Sequence, residues 1–219
     1  MQIITTNDPN AISLACKALA RDELVIYPTE TCYGIAADSC SSIAVGRLLA
    51  YKGDRYRQVS IAVTDRDMAK KYVTLNAMAE NLYTQFLPGP ITVISTSLHQ
   101  TDERLESAGG TLGIRIPKHD FALELVRAYG KPLTATSANT SGKKEPYSLD
   151  DWQKYTTPIK QKLVSLFLDA GKLENRPTST VVDTTLNDPQ ILRQGEIIVQ
   201  QLPNQSFTTE SPEETQDVA

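Results

Sequence analysis

Loops rich in glycine, threonine and serine follow the short apolar runs of this sequence, and basic residues lie in or near several of them. Such loops can bring backbone N–H groups and hydroxyls close to an anion, and lysine and arginine add positive charge that phosphates favour. The loops span residues 28–34, 52–55, 87–92, 108–111, 134–142, 177–180 and 192–195, and the cations are Lys52, Arg55, Arg57, Arg115 and Arg193. The pattern predicts a site for a highly anionic ligand such as a nucleoside triphosphate.

Each of these features also has an ordinary structural explanation. Clusters of glycine and proline are usually turns, and single lysines and arginines are usually solvated. Thr29, Thr31 and Ser137 would serve equally well as turn or cap hydroxyls. The residues alone therefore indicate an anion-binding α/β protein and no particular reaction.

The usual nucleotide and hydrolase signatures are missing from the sequence. It contains no GxxxxGK[ST] loop, no GxGxxG turn and no GxSxG elbow. His99 and His119 are its two histidines, which leaves little material for histidine-based acid–base catalysis, and no Cys/His cluster has zinc-site spacing. A triphosphate would have to be held without a P-loop.

Charge is distributed unevenly along the 219 residues. The formal net charge is −4, and residues 205–219 carry Glu210, Glu213, Glu214 and Asp217 with no lysine or arginine. The rest of the chain is therefore close to neutral. A nucleic-acid contact would need a local basic patch rather than a field from the whole molecule.

Composition and the first residues bear on the cellular compartment. Cysteines at positions 16, 32 and 40 do not form a disulfide framework. No apolar run approaches the roughly 20 residues needed to cross a bilayer, and the opening MQIITTNDPN lacks the basic and apolar regions of a signal peptide. We expect a cytoplasmic protein with no membrane partner.

Helix-like and strand-like runs alternate along the chain, which is typical of a layered α/β fold. The predicted strands are residues 23–27, 59–63, 91–94, 111–115, 132–135, 163–168, 180–182 and 196–199, and the predicted helices are 13–21, 43–51, 77–86 and 121–129. Several connections are too short for a crossover helix, so we expect a mixed sheet. Residues from 203 onward are polar, acidic and aperiodic, which is typical of a disordered tail.

Seven segments of the chain, taken in order, resemble the motifs of the YrdC-type threonylcarbamoyl-AMP synthase family. PTETCYGIAAD (28–38) is similar to the family's PTETVYGLxAD, and Lys52, 23 positions after Thr29, lies where the family has the lysine of its K-x-R motif. The other segments are LPGPIT (87–92), GIRIP (113–117), TSANTSG (136–142), STVVD (179–183) and LRQGEI (192–197). Each motif alone is weak, whereas their shared order is specific.

The resemblance implies an α/β fold in which a twisted mixed β-sheet is flanked by helices and has a concave polar face. Residues 1–202 would form a single-domain, TsaC-like catalytic domain, and residues 203–219 the acidic tail. The implied reaction converts L-threonine, bicarbonate and ATP to threonylcarbamoyl-AMP and pyrophosphate. The product would pass to the proteins that transfer the threonylcarbamoyl group to tRNA.

The resemblance also implies roles for individual residues. Thr31, Arg115 and Ser179 would bind threonine, with Arg115 pairing with its carboxylate. Lys52 and Arg55 would be the catalytic cations at the phosphates. The implied ATP contacts are Lys52, Arg55, Thr111, Ser137, Asn139 and Arg193, with Thr29 as a further neighbour. Mg²⁺ would enter with ATP, and no side-chain ligand for it is predicted.

Two positions depart from the family pattern. K-x-R would place an arginine at position 54, where this chain has Asp54 followed by Arg55. Either the loop shifts by one residue and Arg55 substitutes, or phosphate binding is weaker because a carboxylate repels phosphate. Position 63 is Val63, where some relatives have a histidine near threonine.

The sequence leaves two other functions open. A divergent YrdC-like protein with little synthase activity would bind double-stranded RNA or tRNA, or associate with ribosomes, through its concave face. The near-neutral charge outside the tail disfavours strong RNA binding. The other alternative is an enzyme that adenylates a different carbamate or small acid.

Overall fold

The computed structural model describes residues 1–53 and 58–198, which form a mixed β-sheet with helices packed against it. The strands are β1 (Gln2–Thr5), β2 (Leu24–Pro28), β3 (Tyr33–Ala36), β4 (Ser60–Ala62), β5 (Val73–Thr74), β6 (Ile91–Ser97), β7 (Thr111–Arg115), β8 (Leu133–Ser137), β9 (Val164–Asp169), β10 (Thr180–Asp183) and β11 (Gln190–Arg193). The helices are α1 (Ala11–Leu19), α2 (Ser42–Lys52), α3 (Arg66–Ala69), α4 (Ala77–Phe86), α5 (Asp120–Tyr129), α6 (Leu149–Tyr155) and α7 (Pro158–Gln161), with a 3₁₀ turn at Glu103–Leu105. The predicted acidic tail lies outside the described residues.

The strands lie in the order β1-β9-β2-β3-β8-β4-β7-β6-β10-β11, and β5 pairs with β6. Parallel pairs join β9 to β1 and β2, β4 to β7, and β6 to β10, whereas the other pairs are antiparallel. The mixed sheet predicted from the sequence is thus confirmed. Because most neighbouring strands are distant in the chain, loops from separate motifs come together at one side of the sheet.

Strand β2 has a different hydrophobic core on each of its faces. Leu24 and Ile26 belong to the larger core, which also contains Trp152 of α6 and apolar residues of α2. Val25 and Tyr27 pack in a second core with apolar residues of α1 and α5. At this end of the sheet, therefore, both faces are covered by helices.

The part of the sheet that contains β6 and β7 has one buried and one open face. Ile91 and Val93 of β6, like Leu112 and Ile114 of β7, are buried in the larger core. The residues between them project from the opposite face, because successive side chains of a strand alternate. On this second face Thr92 of β6 and Arg115 of β7 line a cavity together with residues of β4, β8 and β10.

Four strands, β1, β3, β5 and β11, lie where the sequence does not predict them. Residues 196–198 form no strand, and β11 lies earlier, at Gln190–Arg193. Strand β3 escapes prediction because Gly34 in PTETCYG is typical of a turn. In the fold Gly34 instead permits close packing, since a Cβ at this position would lie 3.1 Å from a ring carbon of Tyr27.

The Tyr51 hydroxyl links the larger core to the loop that follows β8. It donates to the Ala138 carbonyl and accepts a 2.8 Å hydrogen bond from Nε1 of the fully buried Trp152. Replacing Tyr51 with phenylalanine would leave both groups buried without this partner. We expect the Tyr51→Phe variant to lose about 1–3 kcal/mol of unfolding free energy, measured by urea denaturation.

A matched control is Tyr155→Phe, which alters a partly exposed tyrosine at the end of α6. This variant should change the unfolding free energy by less than about 0.5 kcal/mol. Equal stability of the Tyr51→Phe variant and the control would show that the buried link contributes nothing.

Candidate functional site

A cavity of about 760 Å³ lies on the open face of the sheet. Its floor comes from alternate residues of neighbouring strands, including Thr92 of β6, Arg115 of β7 and Ser137 of β8. A second cavity of about 360 Å³ adjoins it. Both are lined by Gln58, Val59, Thr136, Ser137 and Arg193, so the two cavities are adjacent, and together they are called the cleft.

Arg115 lies at one end of the cleft and is held by the loop between β2 and β3. Its Nη2 donates to Glu30 Oε1 at 2.8 Å and to Thr31 Oγ1 at 2.9 Å. The side chains of Arg115 and Glu30 are only 12% and 10% exposed, so this ion pair is largely shielded from solvent. Within residues 1–53 and 58–198, Arg115 Nε and Glu30 Oε2 are buried and have no hydrogen-bond partner. Because Arg115 also lines the larger cavity, its guanidinium could meet a carboxylate ligand there.

Ser179 and Arg193 form a second group where β10 meets β11. Arg193 Nη2 donates to Ser179 Oγ and Arg193 Nε to the Ser179 carbonyl, both at 2.9 Å. The buried Ser179 hydroxyl also lies 3.3 Å from Thr92 Oγ1 on β6. Gly195 is required beside them, because a Cβ there would lie 2.1 Å from the Thr178 carbonyl oxygen. The LRQG motif thus brings an arginine against the start of β10.

Lys52, the last residue of α2, lies against the SAN loop, residues 137–143. Its ammonium donates to the carbonyls of Ser137 (2.9 Å) and Asn139 (2.8 Å). Ser137 Oγ donates to Asn139 Oδ1 at 2.5 Å, and Asn139 Nδ2 donates to the Lys143 carbonyl. Burial lowers the pKa of Lys52 to about 8, because few waters solvate the charge. One cation thereby organises the loop that lines the smaller cavity.

The other predicted site residues lie at the edge of the cleft or outside the described structure. Thr29 lies behind Thr31, with 3.1 Å between their Oγ1 atoms, and both line a small recess that adjoins Arg115. Thr111 does not line either cavity of the cleft, but its Oγ1 is 2.8 Å from Oγ of Ser107, which does. Arg55 and Asp54 lie outside the described residues.

The fold therefore brings the predicted residues together as two sets along one cleft. The larger cavity is lined by Thr31, Arg115, Ser137, Ser179 and Arg193, and the smaller by Lys52, Ser137, Asn139 and Arg193. The geometry permits a carboxylate near Arg115 and phosphates between Lys52 and Arg193. The individual roles of these residues stay predictions.

Several residues of the site were not selected from the sequence, and Glu30, Cys32, Thr92 and Glu145 are among them. Glu30 and Cys32 lie within the PTETCYG motif, and Thr92 lies within LPGPIT, so closer inspection of the motifs would have selected them. Glu145 also lines the cleft, but it lies in a loop beyond the last motif residue, Gly142, and no local pattern indicates its direction. Burial raises the pKa of the Cys32 thiol to about 11, so it is neutral at physiological pH.

Two further findings bear on metal and membrane binding. In the part of the chain that the structure describes, no three His, Cys, Asp or Glu side chains are grouped so as to hold a metal ion. No helix within residues 1–53 and 58–198 is long and apolar enough to cross a bilayer. A metal ion in this cleft would therefore need most of its ligands from a bound substrate and from water.

Comparison with known proteins supports the same family as the motifs. A Mycobacterium tuberculosis (strain H37Rv) protein, provisionally named a threonylcarbamoyl-AMP synthase, is 32% identical over 195 residues, which cover 86% of this chain and 85% of that protein. The threonylcarbamoyl-AMP synthase of Bacillus subtilis (strain 168) is 33% identical over 211 residues, covering 91% of this chain and 57% of the relative.

A solved structure has the same architecture. Pyrococcus abyssi Sua5 in complex with L-threonine superposes with a TM-score of 0.78 at 29% identity, covering 84% of this chain and 54% of that one. The chain thus spans little more than half of Sua5. The model of the Sua5/YciO/YrdC family, described as "Telomere recombination", matches residues 17–195. The chain belongs to the Sua5/YciO/YrdC family.

Proposed function

We propose that this chain is an L-threonylcarbamoyladenylate synthase, a nucleotidyltransferase that forms threonylcarbamoyl-AMP and pyrophosphate from L-threonine, bicarbonate and ATP. The proposal rests mainly on one observation: a shielded arginine and a lysine-organised Ser/Asn loop line the same cleft. The names of the M. tuberculosis and B. subtilis relatives, and the threonine bound to P. abyssi Sua5, support this chemistry.

Threonine would bind at the Arg115 end of the cleft. The guanidinium is oriented by Glu30 and Thr31, so a substrate carboxylate would meet a donor that is already in place. The nearby hydroxyls of Thr31 and Ser179 would contact the amino acid. Because the site is shielded, the charge-assisted bond to the carboxylate would be stronger than at an open surface.

ATP would bind with its phosphates between Lys52 and Arg193. The SAN loop offers the Ser137 hydroxyl and backbone N–H groups, and the two cations offset negative charge on the phosphates. No single loop wraps the triphosphate as a P-loop would. These groups would instead come from separate elements around one sheet, namely the end of α2, the end of β8 and the β10–β11 pair.

The reaction needs two bond-forming steps. The uncharged threonine amine attacks the carbon of CO₂ derived from bicarbonate and loses a proton, which gives a carbamate. A carbamate oxygen then attacks the α-phosphorus, the bond from that phosphorus to the α–β bridging oxygen breaks, and pyrophosphate leaves. The protein's contribution would be positioning and charge stabilisation rather than covalent catalysis.

Magnesium and the fate of the product complete the proposal. Mg²⁺ bound with ATP would neutralise charge on the phosphate oxygens and so favour departure of pyrophosphate. Threonylcarbamoyl-AMP is a reactive mixed anhydride, so a transferase must consume it soon after release. We propose that the proteins that install threonylcarbamoyladenosine in tRNA are these consumers.

The direct test of the activity is pyrophosphate release. Purified protein supplied with ATP, bicarbonate and L-threonine should release pyrophosphate, and release should stop when either threonine or bicarbonate is omitted. Turnover that prefers another amino acid or acid over threonine would favour the alternative adenylating enzyme. Salt-sensitive RNA binding with no turnover would contradict the synthase and favour the RNA-binding alternative.

Removal of the Arg115 guanidinium should weaken threonine binding specifically. A hydrogen bond to a charged group contributes about 1.5–3 kcal/mol, so we expect Arg115→Ala to raise the KM for threonine roughly 10- to 150-fold. Arg127→Ala removes an exposed arginine on α5 and is the matched control, with unchanged constants. An Arg115→Ala enzyme with the wild-type KM for threonine would exclude the carboxylate role.

The pKa of Lys52 predicts a loss of ATP affinity at alkaline pH. Because burial lowers this pKa to about 8, the ammonium deprotonates as the pH rises through that value in the free enzyme. We expect kcat/KM for ATP to fall above about pH 8. The value of kcat should fall only at higher pH, because bound phosphate stabilises the charged form of Lys52.

A Lys52→Arg variant serves as the control for this profile, because arginine stays charged throughout the range. In this variant kcat/KM for ATP should no longer fall near pH 8, even if the overall activity is lower. An identical fall in the arginine variant would assign the titration to another group.

A further inference from the structure

Glu145 is a carboxylate of the cleft that has no hydrogen-bond or ion-pair partner among residues 1–53 and 58–198. It is half-buried and lines the larger cavity together with Cys32, Ser137 and Arg193. In the described part of the chain, its side chain forms no hydrogen bond and no ion pair. Arg115 provides the contrast, because its charge is already paired with Glu30.

The backbone on both sides of Glu145 is anchored to the fold. Two residues before it, the Lys143 carbonyl accepts a hydrogen bond from Asn139 Nδ2. One residue after it, the carbonyl of the buried Pro146 accepts a 3.0 Å hydrogen bond from the Tyr33 N–H. Glu145 thus lines the cleft from a loop whose backbone is anchored to the fold on both sides.

An unpaired Glu145 carboxylate in the cleft disfavours the binding of phosphates there, unless a cation lies between the carboxylate and the phosphates. The charge of Glu145 acts on Lys52 and Arg193, the two cations proposed to bind the phosphates. Burial lowers the pKa values of both cations, and the negative charge of Glu145 opposes this lowering. The negative charge of Glu145 would repel phosphate oxygens bound nearby. With a divalent cation between them, the same arrangement becomes attractive.

Two cations could enter the cleft with the proposed substrates, namely the threonine ammonium and Mg²⁺. The amine must lose its charge before it can attack CO₂, so a lasting ion pair with Glu145 would hold it in its unreactive form. Mg²⁺, in contrast, is commonly bound by one or two protein carboxylates, substrate phosphates and water. The single carboxylate of Glu145 fits that ligand set, although no cluster of three metal-binding side chains exists in the described residues.

We propose that Glu145 is a direct ligand of the Mg²⁺ ion that enters with ATP. The proposal rests on the synthase function inferred above, because it concerns the metal of the nucleotide substrate. It also revises the expectation from the sequence that no side chain ligates the metal. Glu145 would hold the ion against the phosphates while Lys52 and Arg193 contact other phosphate oxygens.

The test compares nucleotide binding with and without the metal. A non-hydrolysable ATP analogue is titrated into wild-type and Glu145→Gln protein by calorimetry, once in EDTA and once in saturating Mg²⁺. Wild-type protein should bind more tightly with Mg²⁺. In the variant, affinity in EDTA should be unchanged or higher because a repulsive charge is gone, and the gain from Mg²⁺ should shrink by at least about tenfold.

Mn²⁺ provides a readout that does not depend on turnover. Electron paramagnetic resonance should show Mn²⁺ binding to the wild-type protein–nucleotide complex at least about tenfold more tightly than to the Glu145→Gln complex. Glu124→Gln removes an exposed carboxylate on α5, away from the cleft, and should behave as wild type in both experiments. If Glu145→Gln did not fold, as judged by circular dichroism, Glu145→Ser would give the same comparison.

The outcomes separate this proposal from the proposed function. An equal Mg²⁺ gain in wild type and Glu145→Gln would overturn the ligand role and leave the synthase standing. A variant that binds the nucleotide more tightly by the same factor in both buffers would also overturn it, since Glu145 would then act only as a local charge. Absence of nucleotide binding by the wild-type protein in both buffers would overturn the synthase itself.

Discussion

The site depends on the alternation of side chains in strands that have one face in the core and the other open. In β6 and β7, Ile91, Val93, Leu112 and Ile114 are buried, while Thr92 and Arg115, which alternate with them, line the cleft. A shift of one residue in either strand would move the polar groups into the core and the apolar groups into the cleft. The hydrophobic core therefore fixes the positions of the binding groups, and loop sequences refine them.

The charged groups of the cleft are positioned by protein contacts before any substrate arrives. Arg115 is held by Glu30 and Thr31, Arg193 by Ser179, and Lys52 by the carbonyls of the SAN loop. Such contacts offset part of the cost of taking charges out of water, and they reduce the reorganisation required on binding. They also explain how a chain without a P-loop could hold a triphosphate: separate elements each contribute one or two oriented groups.

Local patterns predicted much of the fold but not the assembly of the site. The apolar runs in β2, β6, β7 and β9 were correctly predicted as strands, because a buried strand needs apolar residues whichever strand it pairs with. Strand β3 was missed because the role of Gly34 depends on its contact with Tyr27, and the prediction at 196–199 was wrong for residues 196–198. The meeting of Lys52 with Ser137, and the direction of Glu145, follow from strand order and loop anchoring, which no single segment encodes.

The central claim is that threonine and ATP occupy one cleft at the same time, and a crystal structure with L-threonine and a non-hydrolysable ATP analogue tests it most directly. The account predicts the threonine carboxylate on the Arg115 guanidinium, the phosphates between Lys52 and Arg193, and the threonine nitrogen on the side of the α-phosphorus. Ordered density for either ligand outside the cleft, or for two ligands too far apart to be joined through a carbamate, would contradict it.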